Sequence, residues 1–200
     1  MPRIKQEVRE HFISQTRQRL LEAAVVEFAR SGYEGANINA ISTAAGYAKG
    51  TVYNYFPSKR LLLLALVDSI AAFYREFIAE QVLAEADPVR RLERFYQAGF
   101  DFVSQHLARA RLMFNVAYSS DDEFKAYIFQ AYQPTFQFVA DQILAPGIAQ
   151  GRFRPVDSFS MAILLMTIYL GTASQVNAEG HPYLDPKQVA ALIISGLQQP

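Results

Sequence analysis

Residues 37–59, Asn-Ile-Asn-Ala-Ile-Ser-Thr-Ala-Ala-Gly-Tyr-Ala-Lys-Gly-Thr-Val-Tyr-Asn-Tyr-Phe-Pro-Ser-Lys, constrain the fold more than any other stretch of this chain. Their spacing predicts a short helix, a glycine turn and a second short helix, apolar on one side and rich in donors and aromatics on the other. Ile38, Ile41 and Ala45 form the inner face of the first, Asn37 caps it by accepting from an orphan backbone N–H, and Gly46 stops it. The second is predicted over 48–56 and closed by Pro57. Inside it Val52 and Phe56 face the core, leaving Lys49, Gly50, Thr51, Tyr53, Asn54 and Tyr55 outside. Upstream, Leu20, Leu21, Ala24, Val25 and Phe28 predict an amphipathic helix over 16–30, with Gly32 at a left-handed cap. Ser58 is placed to cap a further helix beginning at 61–64. A helix pair of this kind is how a protein lays one helix in the major groove of DNA.

Gly32-Tyr33, Ala45-Gly46, Gly50-Thr51-Val52-Tyr53, Tyr55-Phe56 and Ser58-Lys59 together resemble the signature of tetracycline-repressor (TetR) family regulators, with unbroken spacing over residues 20–66. The resemblance implies an all-α chain. Residues 1–60 would be a three-helix helix-turn-helix DNA-binding domain, and residues 61–200 a helical ligand-binding and dimerisation domain. It also implies a repressor, because most such regulators work by occupying promoters.

Side-chain chemistry gives each exposed residue of the motif a role on DNA. Gly50 lacks a Cβ, so the first turn of the second helix can approach base edges closely. Lys49 can donate to guanine O6 or N7, Asn54 can pair with adenine, and the Thr51 methyl can meet a thymine methyl. Asn39 matches a family position that sometimes reads a base. Tyr53, Tyr55 and Lys59 match positions that usually hold phosphates, which set register without carrying sequence information. Asn37 can offer its backbone N–H at a helix N-terminus, a natural phosphate seat. Three residues depart from the family pattern: Ala48 replaces a common capping serine worth about 1 kcal/mol, Ala36-Asn37 replaces a common threonine pair, and Arg60 replaces a common acidic residue.

Charge supports the same division. Residues 1–60 carry nine Lys/Arg against five Asp/Glu, whereas residues 61–200 carry ten against fourteen, so a neutral chain has a basic end where the motif lies. Arg3, Lys5 and Arg9 form either an arm toward the DNA backbone or minor groove, or an ordinary frayed terminus. The chain has no cysteine, hence no disulfide framework or thiolate zinc site, which suits a reducing cytosol. Its N-terminus has no apolar signal region. His11, His106 and His181 are far apart, without metal-ligand spacing, and no phosphate loop or nucleophile elbow is visible. No enzyme, cofactor or metal is expected.

The remainder predicts helices over 67–84, 88–106, 108–118, 121–149, 157–178 and 186–198, with Asp87-Pro88 and Asp185-Pro186 as cap-proline starts. Pro134 should kink the 121–149 helix or divide it. Residues 158–178 carry no charge, but the polar residues at both ends and Thr167 between leave too short an apolar run to span a membrane. A helix buried on most sides fits better. Gly171, Ala173 and Ser174 permit close helix approach, and Val189, Leu192, Ile193 and Gly196 form an apolar stripe. These two helices from each of two subunits are expected to form a four-helix homodimer interface, the alternative being burial within one chain. A two-fold dimer would read a palindromic double-stranded operator.

Aromatics crowd the middle of the chain. Most are core, and a subset is expected to line a pocket for a hydrophobic, partly aromatic or acyl-like effector. The candidates are Phe100, Val103, Met113, Phe114, Ala117, Tyr127, Ala131, Tyr132, Met166 and Tyr169, with His106, Asn115 or Thr135 as polar partners. An architectural DNA-binding protein without sensing, or a ligand-dependent activator, would share the motif. A cavity-free core would favour the architectural reading.

Overall fold

The computed structural model describes residues 2–198, with side chains from Gln6 onward. The side chains of Arg3 and Lys5 therefore lie outside the described residues, while Arg9 is exposed. The chain forms two compact units divided between Ser69 and Ile70.

The first unit begins with α1 (Pro2–Gly35), which starts fourteen residues before the helix that apolar periodicity predicted. From Gln6 to Gln15 it is exposed, with i,i+4 pairing such as Gln6 Nε2 to Glu10 Oε1 at 3.0 Å, so no buried stripe announced this part. From Thr16 onward the expected stripe is buried, with Leu20 and Ala24 wholly out of solvent. Gly32, at φ 67° and ψ −177°, interrupts the helix where a cap was expected. α2 (Ile38–Ala44) packs against α1, and Asn37 caps it by accepting from the N–H groups of Asn39 and Ala40. Next comes a 3-10 turn (Thr51–Asn54), and then α3 (Lys59–Val82), whose first turn Ser58 caps by accepting from Leu61 N–H at 3.1 Å. The sequence divided α3 into a helix starting at 61–64 and another at 67–84. It is continuous because no breaker falls between Leu61 and Asp68.

In the second unit α4 (Pro88–Gln105), α5 (Leu107–Ala117), α6 (Asp122–Val139), α8 (Ser158–Ala173) and α9 (Pro186–Leu197) pack around an aromatic core, with a short α7 (Ala145–Ala149) before α8. Asp87, Asp121, Asp157 and Asp185 each cap the following helix through a side-chain oxygen. Helix α6 runs through Pro134. It is not divided there, and a π turn follows it at Ala140–Leu144. Pro146 has no N–H for the carbonyl of Gln142, and Arg91 Nη1 donates to that carbonyl at 2.7 Å instead. The expected 157–178 helix ends at Ala173, and Val176 then pairs with Pro182 in an isolated antiparallel bridge. Among the described residues no helix is long and apolar enough to cross a membrane.

Candidate nucleic-acid interface and ligand cavity

The second helix of the motif differs most from expectation. In place of a helix over 48–56 the chain makes one four-residue 3-10 turn. Gly46 and Gly50 adopt φ 83° and 81°, conformations that an α-helix excludes and that L side chains rarely take. Gly50 therefore precedes the turn and is not part of a helical first turn. A Cβ added there would meet nothing within 4 Å, so the backbone angle is what demands glycine. Thr51 Oγ1 donates to Ala48 O at 2.7 Å, and Pro57 bars extension downstream.

Burial fixes which way the turn faces. Val52 and Phe56 are 1% and 3% exposed, and the buried Ser42 hydroxyl accepts from Val52 N–H at 3.2 Å, tying the turn to α2. Arg17 lies 5.0 Å over the Phe56 ring. Tyr47 Oη donates to Thr16 at 3.2 Å, anchoring the glycine turn to α1. With one side pinned, Lys49, Tyr53 and Asn54 are exposed, and Gly50, Thr51 and Tyr55 are half-buried. The exposed face holds donors and one aromatic hydroxyl group, the chemistry that base edges and phosphates accept.

Two expected DNA contacts have partners within the protein. The Asn37 N–H, read as a phosphate seat, instead donates to Glu27 Oε1 at 3.0 Å. That bond holds the Glu27 carboxyl below its ordinary value of 4.5, with help from Arg30 and Ser31 and against the opposing effect of burial. An N–H already paired with an internal carboxylate is not available to a phosphate. Lys59 Nζ donates to Glu34 O at 2.7 Å and sits 5.2 Å over the Tyr33 ring. An ammonium has three donors, so this engagement orients Lys59 without using it up. Asn39 remains exposed on the first turn of α2.

In the second unit a cavity of about 260 Å³ opens between α5, α6 and α8, with Tyr74 of α3 and Phe102 of α4 completing its wall. Met113, Phe114, Ala117, Tyr132, Met166 and Tyr169 line it. The other candidates are not on its wall. Phe100 is buried against Tyr169, Val103 is buried, and Asn115 is exposed. His106 packs edge-on against Phe73 and Phe77 at 5.0 and 5.6 Å, at the junction of α4 and α5.

Of the α6 candidates Tyr132 meets the cavity, while Tyr127, Ala131 and Thr135 lie about one residue of helical turn away from that face. Phe129, Tyr132 and Phe136 form that face. Spacing of three and four from Tyr132 would have found it, as Ala110 could have been found from Met113 and Phe114. Tyr74 and Lys125, also missed, had no sequence signal that separated them from core and surface.

Polar atoms on this wall are few. Tyr169 Oη donates to Gly99 O at 3.0 Å, and Tyr96 Oη, deeper in the core, to Leu165 O at 3.0 Å. Tyr74 is 1% exposed and its hydroxyl has no hydrogen-bond partner, lying near Tyr169 without reaching bonding geometry. Burial pushes the phenols of Tyr74, Tyr132 and Tyr169 far above their ordinary value. All three are neutral at physiological pH. Lys125 borders the cavity where its half-exposed side chain meets solvent, paired with Asp122 at 2.6 Å.

The stripe expected to pair two chains turns out to be the outer face of α9. Ala190, Ile194 and Leu197 turn inward, while Leu192 is 76% exposed, Gly196 is exposed, and Val189 and Ile193 are half-buried. On α8 Leu164 is 48% exposed, and Gly171 and Ser174 are half-buried. A Cβ added at Gly171 or Gly196 would meet nothing within 4 Å.

Comparison with known proteins matches residues 20–66 to bacterial regulatory proteins of the tetR family. The HTH-type transcriptional repressor KstR2 of Mycobacterium tuberculosis is 28% identical over 157 residues, 72% of either chain. The crystal structure of the transcriptional regulator FadR from Bacillus subtilis in complex with stearoyl-CoA aligns with a TM-score of 0.78 at 21% identity, covering 90% of this chain and 99% of that one. AibR in complex with isovaleryl coenzyme A and operator DNA gives a TM-score of 0.69 at 22% identity, over 92% and 99%. At such identities the structural likeness establishes a shared fold, with an N-terminal helix-turn-helix and a helical C-terminal part.

Proposed function

We propose, from the premise that this chain belongs to the TetR family of bacterial regulatory proteins, that it is a transcriptional repressor released from a palindromic operator by a hydrophobic small molecule. The observation that carries the reading is the pinned turn Thr51–Asn54, with Val52 buried and Lys49, Tyr53 and Asn54 presented to solvent. Lys49 and Asn54 would read base edges, as would Thr51 and Asn39. Tyr53, Tyr55 and the remaining donors of Lys59 would hold phosphates, and Gly50 sets the angle of the turn.

A homodimer would present two such turns to half-sites about 34–36 Å apart. The exposed outer face of α9, with Leu192, and Gly171 and Ser174 on α8 support that pairing. The apolar cavity favours sensing over a purely architectural role. Its wall includes Tyr74 on α3, the same continuous helix that starts at Lys59, so a ligand there loads a helix shared with the motif. Release is bounded by how much better the ligand binds the low-affinity conformer than the operator-bound one. FadR was solved with stearoyl-CoA and AibR with isovaleryl coenzyme A; the acyl chains of those ligands are apolar, as this cavity is, whereas their coenzyme A parts are charged. A regulator of this kind acts in the cytoplasm and performs no chemistry of its own.

In vitro selection of duplexes from a random pool tests the reading. The expected product is an inverted repeat with half-sites one helical turn apart. Recovery of unrelated sequences bound equally well at moderate salt would overturn it.

A further inference from the structure

Among the described residues, the buried side-chain polar atoms left without a partner are Tyr74 Oη and Thr135 Oγ1, and only Tyr74 lines the cavity. A buried hydroxyl without a partner is costly, and Tyr96 and Tyr169 avoid that cost through backbone carbonyls. The Thr167 and Tyr169 hydroxyls on the same wall donate to the carbonyls of Ile163 and Gly99, and most of the remaining wall is apolar, including Phe102, Met113, Ile163 and Met166.

Resting on the reading of this cavity as the effector site, we propose that Tyr74 is its specificity-determining residue. Its hydroxyl would donate to one neutral, carbonyl-type oxygen on an otherwise apolar ligand of modest size. Volume sets that size. A dry cavity of about 150 Å³ holds benzene, so 260 Å³ holds about ten non-hydrogen atoms. Electrostatics sets the charge. Lys125 is the cation on the wall, half-exposed and already paired with Asp122. A carboxylate at Tyr74 would be desolvated among neutral phenols with no counter-charge. A ketone, ester or thioester oxygen needs none.

The test uses the full-length protein without DNA and two probes that differ in one group, butyrophenone and n-butylbenzene. The ketone is expected to bind the wild type about tenfold more tightly, the worth of one hydrogen bond to a previously unpaired donor. Tyr74→Phe should erase that preference. It should also raise the melting temperature of the unliganded protein by about 2–4 °C, because it removes an unsatisfied group. Equal binding of the two probes, a preference that survives Tyr74→Phe, or no stabilisation by either probe would each overturn the proposal. So would a lower melting temperature in Tyr74→Phe, which would reveal a partner for the hydroxyl. Operator release is read separately by gel shift. A ketone that binds through Tyr74 and leaves the operator complex intact would sink the effector reading while the Tyr74 assignment stands.

Discussion

Removing the charge of Glu27 tests how the motif is held together. Its carboxylate, 8% exposed, accepts from Asn37 N–H at 3.0 Å, Arg30 Nη2 at 2.6 Å and Ser31 Oγ at 3.3 Å, and so joins α1 to the start of α2. Arg30 is 72% exposed, which leaves its ion pair little worth. The bond to Asn37 carries most of the effect. A hydrogen bond to a charged group contributes about 1.5–3 kcal/mol, reduced here because Asn37 is exposed and water can replace a lost partner. Glu27→Ala should therefore cost about 1–2 kcal/mol. Glu27→Gln, which keeps a neutral acceptor, should cost about 0.5–1 kcal/mol.

The folded-state value of Glu27 lies below 4.5, so the stability from its charge is complete above 4.5 and lost as pH falls through the folded value. Urea midpoints of wild type and Glu27→Gln, taken at neutral pH and at about pH 3.5, read both quantities. The gap should be present at neutral pH and narrow in acid. A gap of the same size at both pH values would refute the role assigned to the carboxylate.

Ser42→Ala should destabilise by about 1–3 kcal/mol in urea, because it strips the buried Val52 N–H of its acceptor; a neutral result would mean the turn is held by packing alone. Asn54→Ala should relax preference at one base pair per half-site by about 1–3 kcal/mol in a competition gel shift, and an equal loss across all sequences would reassign Asn54 to the phosphates. Leu192→Asp should give a folded monomer by sedimentation with weakened operator binding, since Leu192 is 76% exposed in one chain; an intact dimer would place the interface elsewhere. Gly99→Ala would put a Cβ 2.5 Å from the Tyr169 ring, and overpacking of this kind costs about 1–3 kcal/mol. Because Tyr169 is part of the wall, the variant should also bind butyrophenone less well, and unchanged affinity would show that the ring moves away from the cavity.

The motif shows how far residue pattern alone carries. Apolar spacing found the buried faces of α1 and α2, capping chemistry found Asn37 and Ser58, and proline found the stop after Phe56. These are local effects, settled by neighbours within a turn of helix. The pattern failed where a competing geometry was equally local but unseen. Gly50, at positive φ inside the predicted span, breaks the expected recognition helix, and one 3-10 turn follows it. Residues 6–15 of α1 carry no buried stripe and gave no periodicity to read.

What residue order determined, then, is the all-α class, the helix-turn-helix with its outward donors, and the aromatic character of the larger unit. Tertiary structure alone decided which atoms are spoken for. Glu27, ten residues upstream, takes the N–H of Asn37, and Arg91 reaches across fifty-one positions to the carbonyl of Gln142. It also decided which face of α6 meets the cavity, and that the buried Tyr74 hydroxyl on its wall has no partner. The physical reason is that helical periodicity says which side chains share a face. It does not say what that face meets, and α6 is apolar on more than one side.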